Sequence, residues 1–175
     1  MTFSTETKRL LIQPITLLDS HFILQLVNTA GWLQFIGDRN IHTIDNAEAY
    51  IHKITANPNY TYWVCKLKES LSPVGIVTFI KRDTMEHHDI GFALLPAYEK
   101  MGLAYEATKQ VADELISTGL YKTIQAITVK NNHGSIRLLE KLGLHFEKEL
   151  VDGNETLLLY SIETNDSIGN VGVCI

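Results

Sequence analysis

The stretch that decides the fold is residues 90–107, IGFALLPAYEKMGLAYEA. Residues 89–95 are of strand length and mostly apolar after Asp89, and Pro96 ends the predicted strand because proline cannot continue a strand ladder. From Leu103 to about Thr118 the apolar residues recur at helical spacing instead. The stretch therefore predicts a strand that passes through a short loop into a helix.

The segments on either side extend this unit into one mixed α/β domain. Residues 60–68 alternate aromatic and polar side chains, and residues 74–80 and 89–95 are two further strand-like segments. The three segments are joined by short turns and predict antiparallel strands. Residues 122–129 follow the helix and predict a strand that returns in parallel through a right-handed crossover. Further strands are expected at residues 8–15, 144–151 and 156–162, and further helices after Asp19, around 32–36, at 46–54 and at 132–142.

The predicted fold class is thus α/β, with a central mixed and twisted sheet of about seven strands flanked by helices. Residues 1–164 are expected to form the one domain. The remaining tail, residues 165–175, is polar and contains glycine, so we expect it to be flexible.

The composition of the chain limits the classes of protein to which it can belong. The chain has 175 residues, 45% of them hydrophobic and 20% charged, as in ordinary soluble domains. The chain shows neither an apolar run near the roughly 20 residues needed to span a bilayer nor a secretory leader pattern, so no membrane association is expected. A net charge of −5 without a basic stripe argues against nucleic acid. Cys65 and Cys174 lie far apart without metal or redox spacing, which favours a reducing cytoplasmic setting.

Small residues mark the start of the predicted central helix. Gly102 and Ala104 leave room for a ligand to approach the first backbone N–H groups, which have no partner inside a helix. Together with the helix dipole, those donors can hold a phosphate without any lysine. A tight contact between helix and sheet would explain the same two residues. We call residues 99–104 the cradle.

A second informative stretch is residues 129–144, VKNNHGSIRLLEKLGL. Asn132 follows a strand and begins a helix, where an N-cap is one reading of it. The other reading is a contact with a ligand held between this strand and the preceding one. Gly143 stands where a helix C-terminus favours a left-handed residue.

Together the two stretches resemble the GCN5-related N-acetyltransferase (GNAT) superfamily, and more closely its ribosomal-protein N-acetyltransferase-like (RimJ/RimL-like) branch. The resemblance extends from Arg9 to about Ile162. The superfamily's coenzyme motif, Arg/Gln-x-x-Gly-x-Gly/Ala, appears as residues 99–104, EKMGLA. Its Asn-x-x-Ser motif and Glu-Lys-x-Gly-Phe-like end appear as residues 132–135 and 140–144.

The resemblance implies a single acyl-CoA N-acyltransferase domain that uses acetyl-CoA as co-substrate and no metal. A neutral amine would attack the thioester directly, without a covalent acyl-enzyme. The pantetheine arm would lie between residues 92–95 and 126–130, where backbone donors polarise the thioester carbonyl. The residues expected to bind the coenzyme are Phe92, Ala93, Leu94, Lys100, Met101, Gly102, Leu103, Ala104, Asn132 and Ser135.

Two departures from the family pattern bear on activity. Relatives often have Trp-Gly-Lys or Arg-Gly-Lys where this chain has Glu99, Lys100 and Met101. An acidic residue near a pyrophosphate would weaken coenzyme binding, and Lys100 would partly compensate. Many relatives also carry a tyrosine as general acid at the position of Leu139, which cannot protonate a thiolate.

The catalytic candidates are Asp89, Asn132 and Tyr105. Asp89 begins the strand that leads to the thioester and could accept the proton that an ammonium must lose, although water could do so as well. A solvated turn carboxylate is the alternative for Asp89, and packing is the alternative for Tyr105 as proton donor. The neighbouring histidines do not predict a metal site, because adjacent strand residues face opposite sides.

The acceptor side is expected near Trp32, Asp38 and Arg39, in the early helical region that shapes this site in relatives. The predicted function is transfer of an acetyl group to a primary amine, either a protein N-terminus or a small amine. The alternatives are an acetyl-CoA-binding sensory module with little catalysis and a purely structural interaction domain. The family also favours homodimers.

Overall fold

A computed structural model of the chain describes residues 2–153 and 155–164. The tail expected to be flexible, and Cys174 within it, lie outside the described residues. The strands are β1 (Thr5–Glu6), β2 (Leu10–Pro14), β3 (Tyr60–Leu67), β4 (Pro73–Ile80), β5 (Asp89–Leu94), β6 (Thr123–Val129), β7 (His145–Asp152) and β8 (Glu155–Glu163). The helices are α1 (Ser20–Val27), α2 (Ala30–Phe35), α3 (Ile44–Ala56), α4 (Leu103–Ser117) and α5 (His133–Lys141).

The strands form one mixed sheet in the order β1-β2-β3-β4-β5-β6-β8-β7. Neighbouring strands are antiparallel except β5 and β6, which are parallel and joined through α4. The α/β prediction with a mixed sheet flanked by helices is therefore confirmed. The described sheet has eight strands rather than about seven, because β1 is only two residues long and too short to produce an alternating pattern.

Each face of the sheet carries its own hydrophobic core. The core between the sheet and helices α4 and α5 includes Trp63, Val77, Ile90, Leu103, Val111, Ile124 and Leu139. The core on the side of α1, α2 and α3 includes Phe22, Trp32, Ile51, Val64, Ile76 and Leu95. Within the described residues, no helix is long and apolar enough to cross a bilayer.

Helix α5 has a defined signal at each end. The Asn132 side chain accepts a hydrogen bond from the Ser135 N–H at 3.0 Å, as an N-cap does. At the other end, Gly143 has φ +91, and the Leu144 N–H donates to the Leu139 carbonyl at 3.0 Å. This Schellman arrangement explains the glycine, since φ in the left-handed region strains other residues.

Candidate active site

The two parallel strands separate soon after they meet. Within residues 2–153 and 155–164, β5 and β6 pair only at Asp89 and Gln125, where the Gln125 N–H donates to the His88 carbonyl at 2.9 Å. Beyond that point β5 continues to pair with β4 as far as Leu94. A gap therefore opens between the ends of β5 and β6, and we call it the β5–β6 gap.

Backbone donors of β5 point into this gap. The Leu95 N–H donates to the Val74 carbonyl at 2.8 Å, so the backbone groups of Leu95 turn toward β4. Successive residues of a strand direct their backbone groups to opposite sides. The N–H groups of Phe92 and Leu94 consequently face the β5–β6 gap rather than β4.

Side chains of β5 alternate between the two faces of the sheet. Phe92 and Leu94 pack on the side of α4 and α5, whereas Ala93 packs on the side of α1, α2 and α3. Asp89 lies on the same side as Ala93 because the two residues are an even number of positions apart. We call this side, from Asp89 toward α1–α3, the acceptor face.

Asp89 is buried and paired with Arg82. Its side chain is 4% exposed, and its two carboxylate oxygens accept from Arg82 Nε at 2.9 Å and Nη2 at 3.3 Å. Burial raises the pKa of Asp89 above its usual value, and the Arg82 guanidinium opposes that shift. The residue is thus not the solvated turn carboxylate that the sequence left open. Its catalytic role stays a prediction.

Two tyrosines and a second arginine surround this pair on the acceptor face. The hydroxyl oxygens of Tyr50 and Tyr62 lie 3.4 Å apart. Burial and then the neighbouring Tyr50 raise the pKa of Tyr62, while the cations of Arg39 and Arg82 act in the opposite direction. Arg39 is exposed, so it is available to a ligand on this face.

The other two residues expected to bind an acceptor differ in exposure. Asp38 is exposed and accepts a hydrogen bond from the Asn40 N–H at 2.7 Å. Trp32 is 5% exposed and belongs to the core beneath α1–α3, where its Nε1 has no partner among the described residues. Trp32 therefore packs the core in this structure, and its contact with an acceptor stays a prediction.

The cradle lies at the start of α4, as the sequence predicts. Gly102 is the N-cap residue with φ +77, and Lys100 has φ +59. The residue before Met101 and the residue after it therefore both have a left-handed backbone conformation. A side chain at Gly102 would be strained whatever space is available. The Leu103 side chain is buried in the core, which leaves its backbone as the group that a ligand could contact.

The bend between β1 and β2 closes one side of the cradle. The Arg9 side chain donates from Nη1 to the Met101 carbonyl at 3.0 Å and from Nε to Glu106 at 2.7 Å. Beside these residues opens a cavity of about 540 Å³, whose lining includes Gly102, Tyr105, Lys109 and Lys141. Sequence reasoning gave Arg9 and Glu106 no role, and their separation of 97 residues leaves no local signal that could have paired them.

The remaining candidates lie along α4 and α5. Tyr105 lines that cavity, with Lys141 Nζ 4.3 Å from the centre of its ring, so it packs between the two helices. Asn132 caps α5 beside the partly exposed Ser135. Leu139 is 1% exposed in the core. The coenzyme and proton-transfer roles of Tyr105, Asn132 and Ser135 stay predictions.

Neither a metal cluster nor a reactive thiol appears in the described part of the chain. No three His, Cys, Asp or Glu side chains among those residues converge as ligands. Burial raises the pKa of Cys65 to about 12, so this thiol stays protonated at neutral pH and is a poor nucleophile.

A family model described as an acetyltransferase (GNAT) domain matches residues 9–145, which is well over half of the chain. The chain belongs to this family. The match includes the β5–β6 gap, the cradle and Asn132, so the features described above all lie within the GNAT domain.

Individual relatives are distant but match along most of their length. YnaD of Bacillus subtilis (strain 168), an uncharacterized N-acetyltransferase, is 24% identical over 153 residues, which cover 85% of this chain and 89% of YnaD. Ribosomal-protein-S5-alanine acetyltransferase from Vibrio fischeri superposes with a TM-score of 0.79 at 19% identity, covering 94% of this chain and 98% of that structure. Spermidine N-acetyltransferase from Vibrio cholerae, solved with CoA and spermine, has a TM-score of 0.78 at 16% identity, with 91% and 98% covered. At these identities the structural likeness establishes the GNAT fold alone.

Proposed function

We propose that this chain transfers the acetyl group of acetyl-CoA directly to a primary amine that enters from the acceptor face. The observation that carries the proposal is the β5–β6 gap, which presents backbone donors on the same strand as a buried carboxylate. The family match supports the reaction class.

The residues present suit acetyl-CoA. The gap between β5 and β6 is open along the ends of both strands, which gives an extended pantetheine arm room to lie between them. The cradle offers free first-turn N–H groups at Gly102 and beyond for the pyrophosphate. The adjacent cavity of about 540 Å³ has space for part of the nucleotide. The solved relative that contains CoA supports the same assignment.

The bound coenzyme would supply a thioester, and the protein would supply polarisation and proton transfer. The N–H groups of Phe92 and Leu94 would donate to the carbonyl oxygen as negative charge develops there. The ammonium must first lose a proton, which Asp89 would accept directly or through water, so that the neutral amine attacks the carbonyl carbon. The C–N bond would form as the C–S bond breaks, and the CoA thiolate would leave and take a proton from Tyr105 or from water. Since Cys65 is buried and protonated, direct attack by the amine is favoured over an acyl-enzyme.

Charges on the acceptor face favour an amine with a single positive charge, such as a peptide N-terminus. A polyamine carries several cations, which carboxylates neutralise best. Here the buried carboxylate of Asp89 is already paired with Arg82, Arg39 adds a further cation near Tyr62, and the exposed Asp38 next to Arg39 in the chain supplies one carboxylate. Repulsion from these two arginines would disfavour a polycation.

A panel of amines tests the proposal through release of the CoA thiol. We expect a peptide with a free N-terminal alanine to release thiol, its N-acetylated counterpart to release none, and spermidine to react at least tenfold more slowly. The blocked peptide controls for hydrolysis of the thioester. If spermidine reacted as fast as the peptide with the free N-terminus, or faster, the proposed preference for an amine with a single charge would be overturned.

A coenzyme-binding sensory module remains the competing function. It is favoured by Leu139, whose buried side chain stands where relatives have a proton-donating tyrosine. Such a module would bind acetyl-CoA yet release no thiol with any amine of the panel. Turnover with any free amine excludes it.

A further inference from the structure

We propose that Arg9 is a positioning residue that aims the Gly102 N–H of the cradle at the coenzyme's pyrophosphate. Arg9 does so by holding the carbonyl of Met101. This inference rests on the proposed binding of acetyl-CoA at the cradle.

Arg9 is fixed by a dense set of contacts to the first turn of α4. Its Nε and Nη2 reach Glu106 Oε2 at 2.7 and 2.6 Å, and its backbone N–H donates to Glu106 Oε1 at 3.0 Å. The Thr7 hydroxyl donates to the same Oε1. Although burial acts in the opposite direction, these hydrogen bonds from Thr7 and Arg9 lower the pKa of Glu106, which keeps it ionised as a stable anchor.

The remaining terminal nitrogen of Arg9 determines the orientation of one peptide group. Nη1 donates to the Met101 carbonyl at 3.0 Å. In a planar trans peptide, the carbonyl of Met101 and the N–H of Gly102 point in opposite directions. When Arg9 holds that carbonyl, the Gly102 N–H is directed away from the arginine, which is the side on which this proposal places the pyrophosphate.

The loop needs such an anchor because its local conformation does not fix that peptide. Lys100 and Gly102 are both left-handed, at φ +59 and +77, on either side of Met101. Glycine also adopts negative φ readily, so the Met101–Gly102 peptide can rotate at low energetic cost. The left-handed conformation of Lys100 is itself energetically unfavourable, because lysine has a Cβ. An external hydrogen bond therefore selects one orientation.

The contacts of Arg9 suit a positioning role. Its Nε and Nη2 contact Glu106 and its Nη1 contacts Met101, so three of the five guanidinium donors hold the planar group between helix α4 and the cradle. The carboxylate of Glu106 also neutralises its charge. A lysine at this position could keep the positive charge, but it lacks the planar guanidinium whose separate nitrogens contact Glu106 and Met101.

The test compares CoA and pantetheine, which lacks the pyrophosphate, as ligands of four proteins studied by calorimetry. The proteins are the native chain, Arg9→Lys, Arg9→Gln and the control Lys68→Gln. Lys68 forms an ion pair with Glu6 at 3.1 Å in the same corner of the sheet but makes no side-chain contact with the cradle in the described structure.

We expect both Arg9 variants to bind CoA about five- to tenfold more weakly, which corresponds to losing one oriented hydrogen bond. Lys68→Gln should bind CoA as the native chain does, and all four proteins should bind pantetheine equally. With an accepted amine, both Arg9 variants should raise KM for acetyl-CoA and leave kcat unchanged.

Native CoA affinity in Arg9→Lys would overturn the inference, because charge alone would then suffice. Equal losses for CoA and pantetheine would also overturn it, since they would indicate general damage to the site. Failure of the native chain to bind CoA would instead remove the proposed function on which the inference depends.

A measurement on the native chain covers the case in which the Arg9 variants fail to fold. In protein labelled with ¹⁵N-glycine, we expect the Gly102 amide proton to move downfield when CoA is added, as a donor to phosphate does. An unchanged Gly102 signal at saturating CoA would overturn the inference.

Discussion

At the scale of single residues, the Arg82–Asp89 pair places a buried carboxylate on the acceptor face. The Asp89 carboxylate is nearly inaccessible, whereas the Arg82 side chain is 41% exposed. Burial disfavours the ionised carboxylate, and the guanidinium favours it. Because a proton acceptor must be ionised, the arginine would tune the pH range in which Asp89 could play the proposed role.

The pH dependence of kcat/KM tests this relation. Activity should fall as pH decreases through the pKa of Asp89, because protonation removes the acceptor. Arg82→Gln removes the cation that opposes burial, so the pKa of Asp89 should rise and the acidic fall of activity should begin at higher pH. Asp89→Asn should reduce kcat by about 10²- to 10⁴-fold, as loss of a general base does.

The matched control for both variants is Glu86→Gln, since Glu86 is an exposed acid close to Asp89 in the chain. It should leave the profile unchanged. An acidic fall that stays at the same pH in Arg82→Gln would mean that Asp89 does not accept the proton. The same amine is used with every variant, so that the ionisation of the substrate contributes equally to each pH profile.

At the scale of elements, the end of α5 depends on one backbone conformation. Gly143 has φ +91 between the last turn of α5 and β7, and the Schellman bond from Leu144 to Leu139 passes around it. Both of these leucines are buried, so this glycine sets where the chain enters β7 relative to the core.

Gly143→Ala should lower the free energy of unfolding by about 1–2 kcal/mol, the cost of a left-handed conformation in a residue with a Cβ. Chemical denaturation measures the change. Gly134→Ala, in the first turn of the same helix, is the control, because its added Cβ would meet only Asn132 Oδ1 at 3.7 Å. That control should be neutral or stabilising by up to about 1 kcal/mol. Equal effects of the two substitutions would contradict the assigned cap.

At the scale of the whole molecule, the sequence could predict what depends on local patterns. Strand and helix periodicities gave the strand–helix–strand unit, and small residues located the start of α4 at Gly102. The Asn132 cap and the Gly143 terminus were readable because capping residues act on neighbours three to five positions away.

The features that could not be predicted from the sequence depend on contacts between segments that are far apart in the chain. Arg9 contacts Glu106 only because β2 and α4 meet in the folded domain. The pairing of Asp89 with Arg82 likewise needs the end of β4 to place the arginine beside β5. Trp32 is an amphipathic residue that suits either a core or a site, and only the packing of α1–α3 places it in the core.

The central claim is that the cradle binds acetyl-CoA, and calorimetric titration of the native chain, Gly102→Trp and Gly119→Trp tests it most directly. Gly119 is a matched control because it also has positive φ, +67, yet lies just beyond the other end of α4 with open space around its Cβ position. We expect the native chain and Gly119→Trp to bind acetyl-CoA and Gly102→Trp to show no binding. A folded native chain that does not bind, or a Gly102→Trp variant that binds normally, would contradict the account.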